Sequence, residues 1–394
     1  MTLPLEGVRV VEYAQYVAGP LCGVLLADLG ADVVKVEPPA GDGYRRVLPV
    51  APGLGRYFVP LNRGKRSVVV DLNSAAGLET SSRLLDSAEI AVYNFPGERA
   101  ARFGLGWEDV HAANPRLVVG RVSSFGGGGP LAGAPAYDLV AQARAGLLTA
   151  HASPGDSVPM RAGGIPMADL TAGFLLATGV LAALVRARDT GEGELVDVSL
   201  LAAAMAVQLQ DFVRLAGEAN GSAPIADRAH LAARAGQIAG GLRLNPYYRC
   251  FEASDGFVAV ACLNLAQRKA FLSLLGLDDP TVAAPDVVPD DPDVLAAKEK
   301  LSTAVADRLA QRTAADWIAA LESAGVPCGP VQPREAVAAD PQVVAEGLIA
   351  RVAQPGLGEV DLLAPFVRVG GERRVAAAAP SLGADTDAVL AELG

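Results

Sequence analysis

Aspartate 169 stands in the stretch Gly163-Gly164-Ile165-Pro166-Met167-Ala168-Asp169-Leu170-Thr171-Ala172-Gly173, a single carboxylate at the head of an apolar helical run. Two kinds of chemistry fit that placement. Asp at a helix start is a preferred N-cap, its oxygen accepting the orphan N–H groups of the first turn. The same position favours an ionised carboxylate through the helix dipole, and such a carboxylate can attack an acyl carbon. Cap and nucleophile can coexist, so the spacing leaves both open.

Other chemistries lack the residues they need. His111, His151 and His230 show no HxxxH or HxH spacing and no acidic cluster, which argues against a metal centre and a His-centred triad. Cys22, Cys250, Cys262 and Cys328 lie far apart without a CxxC pair, as small core residues in a reducing compartment would. A net charge of −11 opposes a nucleic-acid surface, so any anionic ligand needs a local pocket. The N-terminal residues enter a strand pattern without a charged-then-apolar leader. The strongest apolar run, Leu170 to Val185, falls short of the roughly 20 residues of a membrane span and reads as a buried core helix. Cytoplasmic residence, with no membrane and no nucleic-acid partner, is the expectation.

The elements around Asp169 follow a βαβ rhythm. Val8 to Tyr13 reads as a strand, Pro20 to Leu29 as a helix stopped at Gly30, and Asp32 to Glu37 as a second strand. Strand patterns at Ser67 to Asp71, Glu89 to Tyr93 and Leu117 to Ser123 alternate with helical ones at Ala75 to Leu85 and Trp107 to Ala113. This alternation predicts a parallel sheet covered by helices on both faces. Glu37 ends the second strand where a ribose-binding acid would sit, but Ala18-Gly19-Pro20-Leu21-Cys22-Gly23 lacks GxGxxG and carries Pro20 where an N–H would face a pyrophosphate. A Rossmann-like fold without NAD is expected. A strand at Leu195 to Val198 and a helix from Ser199 to Leu215 follow. Tyr247 to Cys262 reads as paired strands around the Asp255-Gly256 turn. The division is a large domain of 1–215 with 345–394, linkers at 216–244 and 326–344, and a small α+β domain of 245–325.

An ordered set of motifs runs along this frame: Ala18-Gly19-Pro20, Gly30-Ala31-Asp32-Val33-Val34-Lys35-Val36-Glu37, Leu61-Asn62-Arg63-Gly64-Lys65-Arg66-Ser67, Asn114-Pro115-Arg116-Leu117, Tyr137-Asp138-Leu139, Asp169, Thr190-Gly191, Gly325-Val326-Pro327 and Pro355-Gly356-Leu357-Gly358. In these residues the chain resembles the class III CoA-transferases, a family that includes formyl-CoA and carnitine CoA-transferases and the 2-methylacyl-CoA racemases. The resemblance implies that Asp169 attacks an acyl-CoA thioester and carries an anhydride and then an aspartyl-CoA thioester. It implies CoA contacts at Val17, Ala18, Pro38, Leu72, Asn73, Asn94, Phe95, Arg102 and Tyr137. Relatives often carry a basic residue where Pro38 and Asn73 stand and an Arg after the Phe of Asn94-Phe95-Pro96-Gly97. Phosphate neutralisation would then draw on Arg102 and on Arg45, Arg46 or Arg66. Gly126 to Gly129 could donate N–H groups to a thioester oxyanion, or Gly236 to Gly241 could act as a glycine lid. Coenzyme A would be substrate, with no permanently bound cofactor, a small carboxylic acid as second substrate, and an interlocked homodimer as the assembly. The racemase branch needs a His before the Asp at Tyr137-Asp138. A tyrosine with an ordinary pKa near 10 is a poor base at neutral pH, so transferase chemistry is the expectation.

Overall fold

The computed structural model describes residues 3–151, 158–159, 164–213, 216, 225–233, 245–283, 292–371, 373 and 377–394. It divides into two compact units, one of 1–148, 160–220 and 341–394 and one of 149–159 and 221–340.

The larger unit is built on six strands: β1 (Arg9–Glu12), β2 (Asp32–Glu37), β3 (Arg66–Val69), β4 (Ile90–Tyr93), β5 (Val118–Ser123) and β6 (Leu195–Ser199). They lie in the order β3-β2-β1-β4-β5-β6 and every pair is parallel. This is the strand order of doubly wound nucleotide-binding folds, whose ligand crevice lies past the carboxyl ends of the strands where the order reverses, here between β1 and β4. The apolar residues alternate between faces, as period-2 strands require. Val10, Val33, Ile90, Val92 and Val118 join a core with α1 (Ala18–Asp28) and the long helix Met167–Thr190. Val11, Val34, Ala91, Tyr93 and Val119 face the other way, against Leu84, Phe103, Val110 and Val389. The last of these belongs to the helix Thr386–Glu392, whose preceding Asp385 accepts a hydrogen bond from the Ser67 N–H at 2.8 Å.

The helix Met167–Thr190 spans 24 residues, longer than its apolar run, and by length and composition alone could cross a membrane. Here one stripe, with Ala172, Leu176, Val180, Ala183 and Ala187, is buried, whereas Phe174, Leu175 and Val185 on its outer side are exposed. The run expected to be a buried core helix thus enters the core along one stripe only. Two glycines allow the close packing: a Cβ on Gly173 would meet the Ala18 carbonyl oxygen at 2.8 Å, and one on Gly179 would meet Val196 at 2.5 Å. The helix expected from Ser199 to Leu215 is also shorter, Leu200–Ala206, followed by a 3-10 turn at Leu209–Phe212. The buried Gln208 side chain donates to the carbonyls of Ala145 and Ala204.

The smaller unit carries an antiparallel sheet of β7 (Tyr248–Ala253), β8 (Gly256–Ala261) and β9 (Cys328–Pro330), with β8 central. Gly256 pairs with Ala253 around the Asp255-Gly256 turn. The stretch read as a linker at 326–344 therefore contributes a strand, because Cys328 to Pro330 pair with Val260 to Val258. The core gathers Phe251, Val258, Phe271, Trp317 and Leu321 from the sheet and its helices.

Candidate active site

The C-terminal ends of β1, β4 and β5 enclose a cavity of about 650 Å³ at the reversal point of the sheet. Val17, Ala18, Asn94, Phe95, Tyr137 and Asp169 all line it, together with Gln15, Tyr16, Arg99, Arg121 and Gly126. Pro38, Leu72, Asn73 and Arg102 do not. Leu72 packs against the second core, Asn73 bonds to Asp71 through both its backbone and side-chain nitrogens, and the Arg102 guanidinium lies over Phe103.

Asp169 is half-buried in the first turn of Met167–Thr190, not at its cap: Pro166 holds the cap position and supplies no side-chain bond. The capping oxygen comes from another helix, Asp138–Arg144. Oδ1 of Asp138 accepts the Ala168 N–H at 3.0 Å and the Asp169 N–H at 3.3 Å, while Oδ2 accepts from Gln142 Nε2 at 2.8 Å. The cap reading of Asp169 is thereby overturned: the residue lies inside the first turn, and the orphan donors of that turn, its own N–H and that of Ala168, are held by a carboxylate 31 residues before it. The Asp169 side chain is left at the cavity wall, with its backbone fixed. Tyr137 caps nothing and is 71% exposed, so it is not a core aromatic; its ring meets Tyr16 edge-on at 6.0 Å. Burial, then the neighbouring Tyr137 and Asp42, push the Tyr16 phenol above its usual value, which keeps it neutral at pH 7.

The loop between β1 and α1 is held residue by residue. Lys35 Nζ donates to the Ala14 carbonyl at 2.8 Å. The Asn94 side chain takes both backbone groups of Gln15, accepting from its N–H at 3.1 Å and donating to its carbonyl at 2.7 Å. Asp42 Oδ1 accepts the Tyr16 N–H at 3.3 Å. Tyr16 has φ of 70°, one of two non-glycine residues in the left-handed region among those described. Such a conformation costs on the order of 1 kcal/mol and persists only where its surroundings impose it. Gly43 makes room for the ring, since a Cβ there would meet it at 2.7 Å.

Beneath the loop lies a buried ionic network. Lys35 pairs with Glu12 at 2.9 Å and Asp42 at 3.0 Å, and Lys65 pairs with Glu12 at 2.7 Å. Gly23 admits the Glu12 carboxylate, which would lie 1.9 Å from a Cβ at that position. Burial pushes Lys35 down, but Glu12, Asp42 and Glu37 outweigh it and hold the ammonium above its usual range. Burial prevails at Lys65 and brings it to about 8. Glu37, the residue in the ribose-binding position, is held by Arg45 at 2.6 and 2.7 Å and by Ser67 at 2.6 Å. Arg45 is consequently committed inside the protein, Arg66 is committed to Asp32 and Glu392, and Arg46 donates to the Ala40 carbonyl. None of the three lines the cavity.

Arg99 does line it, and sequence reasoning passed it over. Its guanidinium lies over Phe95 and Phe103, 4.9 and 5.2 Å from their centroids, and makes no ion pair among the described residues. Arg121, also at the wall, is paired with Asp197 at 2.6 Å. Of the Gly126 to Gly129 run, only Gly126 and Gly127 reach the cavity, and the Gly126 N–H is already donated to Ser123 Oγ at 3.1 Å. Gly236 to Gly241 lies outside the described residues.

The chain as a whole has counterparts among known proteins. Residues 5–386 match the model of CoA-transferase family III. A succinate–glutarate CoA-transferase of Agrobacterium fabrum is 31% identical, covering 99% of this chain and 96% of the relative. An acetyl-CoA:oxalate CoA-transferase of Acetobacter aceti is 31% identical over 90% of this chain and 88% of its own. The crystal structure of a CAIB/BAIF family protein from Brucella suis superposes with a TM-score of 0.79 at 28% identity, covering 100% of both chains. The chain belongs to CoA-transferase family III and is an enzyme of that class.

Proposed function

We propose that this enzyme moves CoA from an acyl-CoA to a small carboxylic acid through covalent attachment to Asp169. The observation that carries the reading is the position of this carboxylate: at the wall of the switch-point cavity, in a helix first turn whose backbone donors are held by Asp138. An Asp169 oxygen attacks the thioester carbon, the C–S bond breaks, and CoA thiolate leaves an acyl-aspartyl anhydride. The thiolate attacks the Asp169 carbonyl and expels the donor's carboxylate, giving the aspartyl-CoA thioester. An acceptor carboxylate reverses both steps. One thioester replaces another, so the exchange is nearly thermoneutral, and covalent catalysis divides it into easier stages. Water must be kept from both intermediates.

Tyr137, beside Asp169 in the cavity lining, flanks the thioester end, and Arg99, stacked on Phe95 and Phe103, supplies positive charge for CoA phosphates that Pro38 and Asn73 cannot. The names of the relatives, with succinate, glutarate and oxalate among their substrates, support a short dicarboxylate as acceptor. Four free cysteines support work in a reducing compartment, the cytoplasm. The test is a screen of succinyl-CoA and acetyl-CoA against a panel of carboxylates, read by mass spectrometry. Asp169→Ala is expected to lose every exchange at least about 10³-fold, as removal of a covalent nucleophile does. Parental turnover in that variant, or solvent deuterium entering a branched acyl-CoA without any acceptor acid, would refute the reading.

A further inference from the structure

We infer that the Tyr16 phenol, beside Tyr137, is the specificity-determining group that receives the far carboxylate of a short dicarboxylic acyl group attached at Asp169. The inference deepens the transferase reading and rests on it. Asp138 accepts the Asp169 N–H at 3.3 Å, so Tyr137, the residue before Asp138, stands next to the turn that carries the nucleophile. The Tyr16 ring meets Tyr137 edge-on at 6.0 Å and Tyr44 edge-on at 5.4 Å. Its hydroxyl end lies on Gly43, where a Cβ would come within 2.8 Å of the phenol oxygen. The ring is thus fixed by Tyr137, Tyr44 and Gly43, and 37% of the residue remains exposed, at the wall of the cavity that Asp169 also lines.

Among the described residues lining the cavity, the cations are Arg99 and Arg121. Arg121 is bound by both oxygens of Asp197, and Arg99 lies across Phe95 and Phe103. A second carboxylate beside Asp169 therefore meets neutral donors. A phenol suits it, because a phenol has an O–H to give and an ionised carboxylate only accepts. Burial, then Tyr137 and Asp42, keep the Tyr16 phenol protonated at pH 7, and the Arg46 charge reaches it as well. Asp42 is paired with Lys35 at 3.0 Å and so does not stand bare against an incoming anion. An uncharged chain end in the same place would leave the phenol without an ionic acceptor, and the site discriminates against it on that ground.

Competition between acceptors tests this. Oxalate or glutarate, each mixed with its own monomethyl ester, is offered with succinyl-CoA or acetyl-CoA, and the ratio of the two new thioesters is read by mass spectrometry. Both acceptors compete for one enzyme form, so the donor step cancels. The parental enzyme is expected to favour the diacid by about ten-fold or more, the scale of a hydrogen bond to a charged group. Tyr16→Phe keeps the ring and its edge contacts, loses only the O–H, and is expected to reduce that preference about ten-fold while transfer to the ester is retained. A preference unchanged in Tyr16→Phe, equal losses with both acceptors, or a parental enzyme that uses no dicarboxylate overturns the inference. Asp169→Ala separates the two claims. Parental transfer in that variant sinks the covalent reading. Calorimetric titration of the CoA-loaded protein with glutarate and with butyrate still decides the subsite, since Tyr16→Phe is expected to remove the preference for glutarate, and a preference that persists overturns it.

Discussion

Two carboxylates share the work at Asp169. Asp138 is 5% exposed, and its two oxygens hold the N-terminal turn of Met167–Thr190 and Gln142. Removing a capping acceptor costs about 0.5–2 kcal/mol, and a reacting group displaced by an ångström loses on the order of 10²-fold in rate. Asp138→Ala is therefore expected to lower the melting temperature by a few degrees and kcat by one to two orders of magnitude, with the larger effect on kcat. Asp138→Asn keeps an acceptor at Oδ1 and is expected to recover most of both. A kcat unchanged in Asp138→Ala, measured beside its melting curve, would show that Asp169 needs no such support. Tyr137-Asp138 stood out in the sequence as a motif. Its role as a cap did not, because the donors it serves lie 30 and 31 residues further along the chain.

At the scale of elements, buried charge joins segments that hydrophobic packing alone would leave loosely registered. In the smaller unit Asp279 takes Tyr247 Oη at 2.5 Å, Lys298 Nζ at 2.8 Å and Thr281 Oγ1 at 2.7 Å, tying the helix Pro292–Leu309 to the residue that leads into β7 and to the turn after the helix Leu265–Leu275. Burial pushes this carboxyl up, but Lys298, Tyr247 and Thr281 prevail and bring it to about 2. The folded value lies below the unfolded one, near 3.9, so this stabilisation is fully present above about pH 4 and is lost as pH falls through 2. Chemical denaturation of the parent and Asp279→Asn is expected to differ at pH 7 and to converge toward pH 2; a constant gap across that range would contradict the assignment. The strands, the helix starts and the Asp255-Gly256 turn were legible because period-2 alternation, Pro in a first turn and Asp-Gly dipeptides act locally. The pairing of Cys328 to Pro330 was not, since three residues between turn signals carry no period of their own.

For the whole molecule, the outer side of Met167–Thr190 raises the question of what covers it. Phe174 and Val185 lie 11 residues apart, almost directly above one another on the helix, and are 46% and 64% exposed, with Leu139 and Val140 of Asp138–Arg144 each 50% exposed. A second copy of the chain is the occupant implied by the family resemblance, and exposed apolar side chains of this kind are what an obligate dimer buries. Light scattering on the purified protein is expected to give twice 40.3 kDa at micromolar concentration. A monomer mass there would exclude the dimer.

The sequence by itself determined the class of fold and the family, because each is written in local periodicity or in motifs of fixed order, and the family resemblance is what singled out Asp169 for the proposed covalent role. The sequence also ruled out a GxGxxG dinucleotide turn at the loop that became the cavity wall. Tertiary structure decided which residues serve that carboxylate. Asp138 reaches across 31 positions to the backbone of Asp169, and Asn94 reaches across 79 to that of Gln15. Arg45 and Arg66, equal to Arg99 as cations in the sequence, are committed to acids that folding brings beside them, while Arg99 stacks on two aromatic rings at the cavity. A side chain's type sets what bonds it can make; only the folded chain sets which partner reaches it first.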